Sequence, residues 1–177
     1  MVRADGDGDG DGRQKRMQEM KALAGKAIHG CVYPIAKPEY EREVTEASKQ
    51  FPVVLHLASS QSHSNVESRL LSELFRQAAR KFPEVKFCEM AASACIENYP
   101  ERNCPTILVY KGGDLSKNLI RLGGEMRGAE TSLPDFEAWL VQQGVVEAGD
   151  LRLRSTEGGL AGSTNMAGVD HGDDDWD

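Results

Sequence analysis

The sequence predicts an α/β fold: a central mixed β-sheet flanked by helices, with a short N-terminal helix and disordered termini. Short apolar runs, which favour strands, alternate with longer segments in which apolar residues recur every three or four positions, as in helices. A Gly-Gly pair follows one of the central runs and favours a tight hairpin. The 177 residues are enough for one domain with a hydrophobic core and flexible ends.

The predicted elements follow the order βαβαβα and then ββα. Strands are predicted over 32–35, 52–57, 85–90, 106–110 and 115–122. Helices are predicted over 38–48, 66–82 and 133–143, and Gly144 is expected to end the last one; residues 92–98 are predicted to form a short helix or an irregular turn. Strands separated by helices are expected to run parallel with right-handed crossovers, and the hairpin at 111–114 adds an antiparallel strand.

The two ends of the chain differ in composition from its middle. Residues 5–12 alternate Asp and Gly, so 1–12 are expected to be a disordered linker, with no Glu at the position a calcium loop requires. Met17 and Met20 belong to the thin apolar stripe of a predicted helix over 13–29. Residues 30–146 form the predicted domain. Residues 147–177 are expected to be a disordered acidic tail, in which Trp176 is a candidate docking residue.

Composition excludes several classes of function. The net charge of −7 opposes binding to nucleic-acid phosphates. No apolar stretch is long enough to span a bilayer and no signal-peptide core is present, so a cytoplasmic protein is expected. The chain is also expected to be a monomer. The four cysteines are few and include no close pair, so we expect neither a disulfide framework nor a zinc site, and no cofactor.

The segment 103–110, Asn-Cys-Pro-Thr-Ile-Leu-Val-Tyr, resembles the thioredoxin-like superfamily, whose members carry a cis-proline just before a central strand. The resemblance implies that Pro105 is the structural cis-proline of a thioredoxin-like fold. The loop that matches the thioredoxin active site, 59–65, reads Ser-Ser-Gln-Ser-His-Ser-Asn and contains no cysteine. Dithiol exchange requires a Cys-x-x-Cys pair, so no catalytic residues are predicted.

Cys104 adjoins Pro105 and is expected to face this loop. One hypothesis makes it a monothiol redox sensor or, together with His63, part of a transient metal site. The alternative, which we favour, is a small side chain that fills a turn.

A wider set of segments resembles the phosducin-like proteins of the 2/3 type. They are Val-Tyr-Pro-Ile at 32–35, Arg-Glu-Val-Thr-Glu-Ala-Ser at 42–48, Val-Val-Leu-His-Leu at 53–57, Ala-Arg-Lys-Phe-Pro-Glu-Val-Lys-Phe at 79–87 and Asn-Tyr-Pro-Glu-Arg-Asn at 98–103. Residues 13–21 also look like the end of that family's N-terminal helical region.

This resemblance implies a non-catalytic co-chaperone that binds the cytosolic group II chaperonin and its actin- and tubulin-type folding clients. The alternatives are a thiol redox sensor or monothiol enzyme using Cys104, and a regulator that binds G-protein βγ. The βγ-binding branch uses an extended N-terminal helical domain, whereas this sequence is expected to have one short N-terminal helix.

Overall fold

The structure is a computed structural model that describes residues 8–25, 27–61 and 63–154. Five strands form one sheet: β1 (Val32–Pro34), β2 (Val53–Ala58), β3 (Lys86–Ala91), β4 (Thr106–Lys111) and β5 (Asp114–Ile120). The α-helices are α1 (Gly8–Gly25), α2 (Val66–Lys81), α3 (Ala92–Cys95), α4 (Leu133–Gln142) and α5 (Leu151–Arg154). A 3-10 turn (Lys37–Glu39), a π-helix (Glu41–Glu46) and a second 3-10 turn (Ala47–Lys49) stand where a single helix was predicted.

The strand order is β1-β3-β2-β4-β5, which confirms a mixed sheet of the thioredoxin-like kind. Strands β1 and β2 run parallel to β3, β4 runs antiparallel to β2, and β5 runs antiparallel to β4. The expectation that β4 would be parallel to its neighbours was wrong. The connection 92–105 leaves the chain at the end of the sheet where β3 finishes, and β4 starts from there and runs back antiparallel to β2.

One face of the sheet packs against α2 and α4 through aromatic rings. Phe75 of α2 stacks on Phe136 of α4 with ring centroids 5.5 Å apart, and Phe136 stacks on Trp139 at 6.3 Å. Phe75 also meets Phe87 of β3 edge-on at 5.3 Å. All four rings are at most 1% exposed, so this layer is the main hydrophobic core.

The opposite face packs against the helical segment 37–49 and α3. Its core combines aliphatic side chains with sulfur, including Val44, Leu55 and Cys88. Lys86 is 5% exposed, and its ammonium group donates to the Glu43 carboxylate at 2.6 Å and to the Glu43 carbonyl at 2.9 Å. The buried cation is therefore paired, which is the condition for keeping a charge in a core.

Glycines with positive φ angles end two elements where the sequence predicted. Gly112 (φ 61°) and Gly113 (φ 87°) form the hairpin between β4 and β5, a turn that other residues adopt only with strain. Gly144 (φ 71°) follows α4, and its N–H donates to the Val141 carbonyl at 3.0 Å.

The predicted boundaries at both ends need correction. Helix α1 begins at Gly8, inside the segment 1–12 expected to be a disordered linker, and ends at Gly25 rather than near residue 29. The predicted disordered tail starts too early, at residue 147, because α5 forms a helical turn after that point and its Arg152 pairs with Glu84. Residues 1–7 and 155–177, including Trp176, lie outside the described residues.

Candidate functional site at the cis-proline loop

The Cys104–Pro105 peptide bond is cis, as the sequence predicted. Both flanking carbonyls are held by hydrogen bonds: Asn65 Nδ2 donates to the Cys104 carbonyl at 3.0 Å, and the Arg121 N–H donates to the Pro105 carbonyl at 2.8 Å. These bonds tie the start of β4 to the start of α2 on one side and to the end of β5 on the other. The cis-proline turn, whose two residues are buried, is therefore held in place from both sides.

The loop 59–65 carries no thiol, and its described residues, 59–61 and 63–65, make several hydrogen bonds through polar side chains. Ser59 is 6% exposed; its Oγ donates to the Glu101 carboxylate and accepts from the Gln61 N–H at 2.9 Å. Asn65 caps α2, because its Oδ1 accepts from the Ser68 N–H at 3.0 Å. Asn65 thus orders the helix N-terminus and the cis-proline turn with one side chain.

A shallow cleft of about 350 Å³ lies between this loop and the cis-proline turn. Its charged lining is mixed: Glu67 and Glu101 face Arg102 and Arg121, and Arg121 Nη2 lies 3.4 Å from Glu67 Oε1. Val66 adds an exposed apolar side chain at 51% of its surface. An open cleft of mixed charge with one apolar contact fits a protein surface better than a small apolar cofactor.

Cys104 lines the cleft but is only 2% exposed. Burial raises the pKa of its thiol, and the nearby Glu101 carboxylate raises it further. The thiolate is the nucleophilic form, so this environment disfavours nucleophilic attack by Cys104. The geometry favours the hypothesis that Cys104 fills a turn.

The structure does not unite His63 with Cys104 in a site. His63 is exposed and is not among the residues that line the cleft. Within residues 8–25, 27–61 and 63–154, no group of three or more His, Cys, Asp or Glu side chains could hold a metal ion.

A buried polar network behind the cleft was missed by the sequence reasoning. His56 is 0% exposed and its Nδ1 lies 3.0 Å from Glu89 Oε2, which also accepts from Ser72 Oγ at 2.8 Å. The hydrogen bond from His56 is the main reason why the pKa of the Glu89 carboxyl is lowered. An ionised carboxylate only accepts, so His56 Nδ1 donates to Glu89, and the other ring nitrogen, Nε2, lies 3.4 Å from Ser68 Oγ.

This network reaches the cleft through Ser68, whose Oγ accepts from the Ser59 N–H at 3.0 Å. Ser59 in turn donates to Glu101 at the cleft. The only sequence signal for it was a histidine inside the apolar run 53–57, because its partner Glu89 is 33 residues away and is brought beside it by the β2–β3 register.

A family model described as Phosducin matches residues 4–174 of the chain. The chain is 41% identical over 157 residues to "Phosducin-like protein 2" of Saccharomyces cerevisiae, covering 78% of this chain and 54% of that protein. It is 39% identical over 134 residues to "Phosducin-like protein 2" of Drosophila melanogaster, covering 76% and 54%. It is 39% identical over 108 residues to "Phosducin-like protein 3" of Mus musculus, covering 61% and 44%.

The chain belongs to the phosducin family. It spans about half the length of the curated relatives that it matches. Among solved structures, the short form of thioredoxin F from spinach chloroplast is similar with a TM-score of 0.47 at 17% identity, covering 67% of this chain and 95% of that one.

Across the described ranges of this phosducin-family chain, no helix is both long and apolar enough to cross a membrane. The longest, α1, has 18 residues and is rich in Gly, Asp, Lys and Arg.

Proposed function

We propose that this chain is a non-catalytic, protein-binding co-chaperone that modulates folding of actin- and tubulin-type clients by the cytosolic group II chaperonin. The observation that carries the proposal is its membership of the phosducin family, with phosducin-like proteins 2 and 3 among its relatives. The cytoplasm is the compartment in which this activity would take place.

The chemistry of the cis-proline site supports binding rather than catalysis. The loop 59–65 offers hydroxyl, amide and imidazole groups but no thiol. The thiol of Cys104, in contrast, is buried and held in its protonated form. Neither a nucleophile nor a resolving thiol is in place for disulfide exchange.

The cleft supplies a rigid surface suited to a protein partner. Hydrogen bonds from Asn65 and Arg121 fix the cis-proline turn, so little conformational entropy is lost when a partner docks there. Charges of both signs line the cleft, with Arg121 beside Glu67 and Arg102 next to Glu101, and they orient a charged partner. Such charges act on orientation and association rate more than on affinity.

The direct test is binding of the full chain to purified group II chaperonin, measured by biolayer interferometry. Arg102→Glu at the cleft is expected to slow association by about tenfold at low salt, because it reverses a charge in the contact surface. Lys37→Glu makes the same charge change on an exposed residue outside the cleft and is expected to leave the rate nearly unchanged.

A complete lack of chaperonin binding by the wild-type chain would contradict the proposal. So would recovery of G-protein βγ, without chaperonin, from a cytosolic pull-down. Insulin reduction that is lost on Cys104→Ser would show that a thiol enzyme, not a binding protein, is the right description. Actin folding in a reconstituted chaperonin reaction is the second readout, and it should change in yield or rate when the chain is added.

A further inference from the structure

A second groove, unrelated to the cis-proline cleft, lies between the edge strand β1 and helix α2. It encloses about 730 Å³. Val32 and Pro34 of β1, which are partly exposed, give it an apolar wall, and the exposed arginines Arg76 and Arg80 stand at its rim. This volume is within the range that holds a large organic group.

Glu89 places a hydrogen-bond acceptor inside this groove. Its Oε2 accepts from His56 and Ser72, whereas its Oε1 has no hydrogen-bond partner among residues 8–25, 27–61 and 63–154. The side chain is 34% exposed and lines the groove, so Oε1 is accessible from outside. The groove therefore suits an apolar group that carries one N–H donor.

The two arginines at the rim of the groove favour a ligand that carries negative charge. Arg76 and Arg80 lie one turn apart on α2, and Arg76 Nη2 is 2.8 Å from Glu73. Arg80 has no ion pair within 4.0 Å among the described residues. A matching ligand is thus an aromatic N–H donor flanked by carboxylates.

We propose that the groove binds the chain's own segment 173–177, Asp-Asp-Asp-Trp-Asp. Trp176 packs against the apolar wall of the groove with its indole N–H donating to Glu89 Oε1, and the aspartates before it pair with Arg76 and Arg80. The chain already makes one indole–carboxylate bond of this kind, in which Trp139 Nε1 donates to Glu125 Oε2 at 2.7 Å.

The point where the chain leaves the described body makes this contact reachable within one molecule. In α5, Arg152 donates to the carbonyl of Lys81 at 3.1 Å, next to Arg80 at the C-terminal end of α2. Trp176 lies 22 positions after Arg154, an extended reach of about 70 Å. Helix α2 is only about 24 Å long. The segment is therefore long enough to reach any point along the groove.

The test follows the two indole N–H signals of the ¹⁵N-labelled full chain, assigned with Trp176→Phe. Trp139, buried in the core, reports on folding. In the wild type we expect solvent exchange of the Trp176 indole N–H to be slowed about tenfold, the effect of a docked state favoured by about 1.4 kcal/mol. Arg76→Glu with Arg80→Glu should restore fast exchange while the Trp139 signal stays in place.

Two further variants make the result specific. Arg69→Glu reverses an exposed charge on the same helix outside the groove, and it should leave the Trp176 signal unchanged. Asp173→Lys, Asp174→Lys and Asp175→Lys added to the double arginine variant should slow exchange again.

Equal exchange in the wild type and the double variant would overturn the proposal, as would protection that rises with protein concentration, which indicates docking on a second copy. The test involves no chaperonin, so its failure is distinct from failure of the proposed function.

Discussion

Helices α1 and α2 have similar lengths but opposite relations to the rest of the molecule. Helix α2 has 16 residues and buries six side chains against the sheet and α4, whereas α1 has 18 residues and its described side chains, at 12–22 and 25, are all exposed. Helix α2 is also capped by Asn65 and tied to the cis-proline turn. Tertiary contact therefore fixes α2 in place but leaves the described surface of α1 to solvent.

The contrast shows what an apolar period can and cannot predict. Both helices were predicted from residues that recur every three or four positions, and both are helical. Whether such a stripe packs depends on what lies opposite, because most of the stability of a helix in a protein comes from tertiary contacts. Phe75 and Leu71 of α2 meet the sheet, whereas Met17 and Met20 of α1 are 59% and 60% exposed.

The largest expected effect is that of Phe75→Ala. The ring of Phe75 contacts Phe87 and Phe136 and is fully buried, so its loss leaves a cavity in the main core. We expect the free energy of unfolding to fall by about 3–5 kcal/mol, measured by urea denaturation. Val66→Ala, at an exposed position of the same helix, is the control. A loss below about 1 kcal/mol for Phe75→Ala would contradict the packing described for α2.

The second prediction concerns Glu89, which holds the buried imidazole of His56 against α2. Glu89→Ala leaves His56 Nδ1 without its acceptor, which is expected to cost about 1–3 kcal/mol near neutral pH. The pKa of Glu89 is lowered in the folded state, so its ionised form stabilises the fold above about pH 4.5 and this contribution is lost as the pH falls through the folded pKa. The variant should therefore lose less stability than the wild type between about pH 6 and about pH 3.

Glu73→Ala is the matched control for this pH dependence. Glu73 lies on α2 and its pKa is also lowered, mainly by a hydrogen bond from Arg76, but the pair is exposed to solvent. Its effect on the pH profile should be smaller and should disappear at high salt. Parallel pH profiles for the wild type and Glu89→Ala would contradict the assigned network.

Phe75 and His56 also show how much of the fold and of the site could be predicted from the sequence. Phe75 was predicted as part of an apolar helix face, because local periodicity is enough for that. The cis form of Pro105 was implied by the resemblance to the thioredoxin-like superfamily, and the loop 59–65 is seen to lack a thiol from its sequence alone. The network of His56 could not be predicted, since it depends on a β2–β3 register that joins residues 33 positions apart. The antiparallel direction of β4 was missed for a related reason, because it depends on the end of the sheet at which the connection 92–105 leaves the chain and not on the composition of the strand.

A smaller effect is expected at Asn65, the residue that links α2 to the candidate site. Asn65→Ala removes both the cap and the hydrogen bond to the Cys104 carbonyl, and should cost about 1–2 kcal/mol. Asn65→Ser keeps a capping oxygen and removes the donor without placing a second acceptor against the Cys104 carbonyl, so it should recover most of that loss. Thermal unfolding of the three proteins separates the two roles. Equal destabilisation by both variants would show that the link to the cis-proline turn, not the cap, is what matters.

The smallest expected effect tests the exposed helix itself. Gln has nearly the helix propensity of Met, so Met17→Gln combined with Met20→Gln removes apolar surface without changing the tendency to form a helix. Because both side chains are exposed, the free energy of unfolding should change by no more than about 0.5 kcal/mol in urea denaturation. A loss above about 1 kcal/mol would mean that α1 packs on the body in solution. If stability is unchanged while binding to the chaperonin weakens, the two methionines form an apolar surface that contacts a partner. Single exposed apolar side chains on a folded protein need no such explanation.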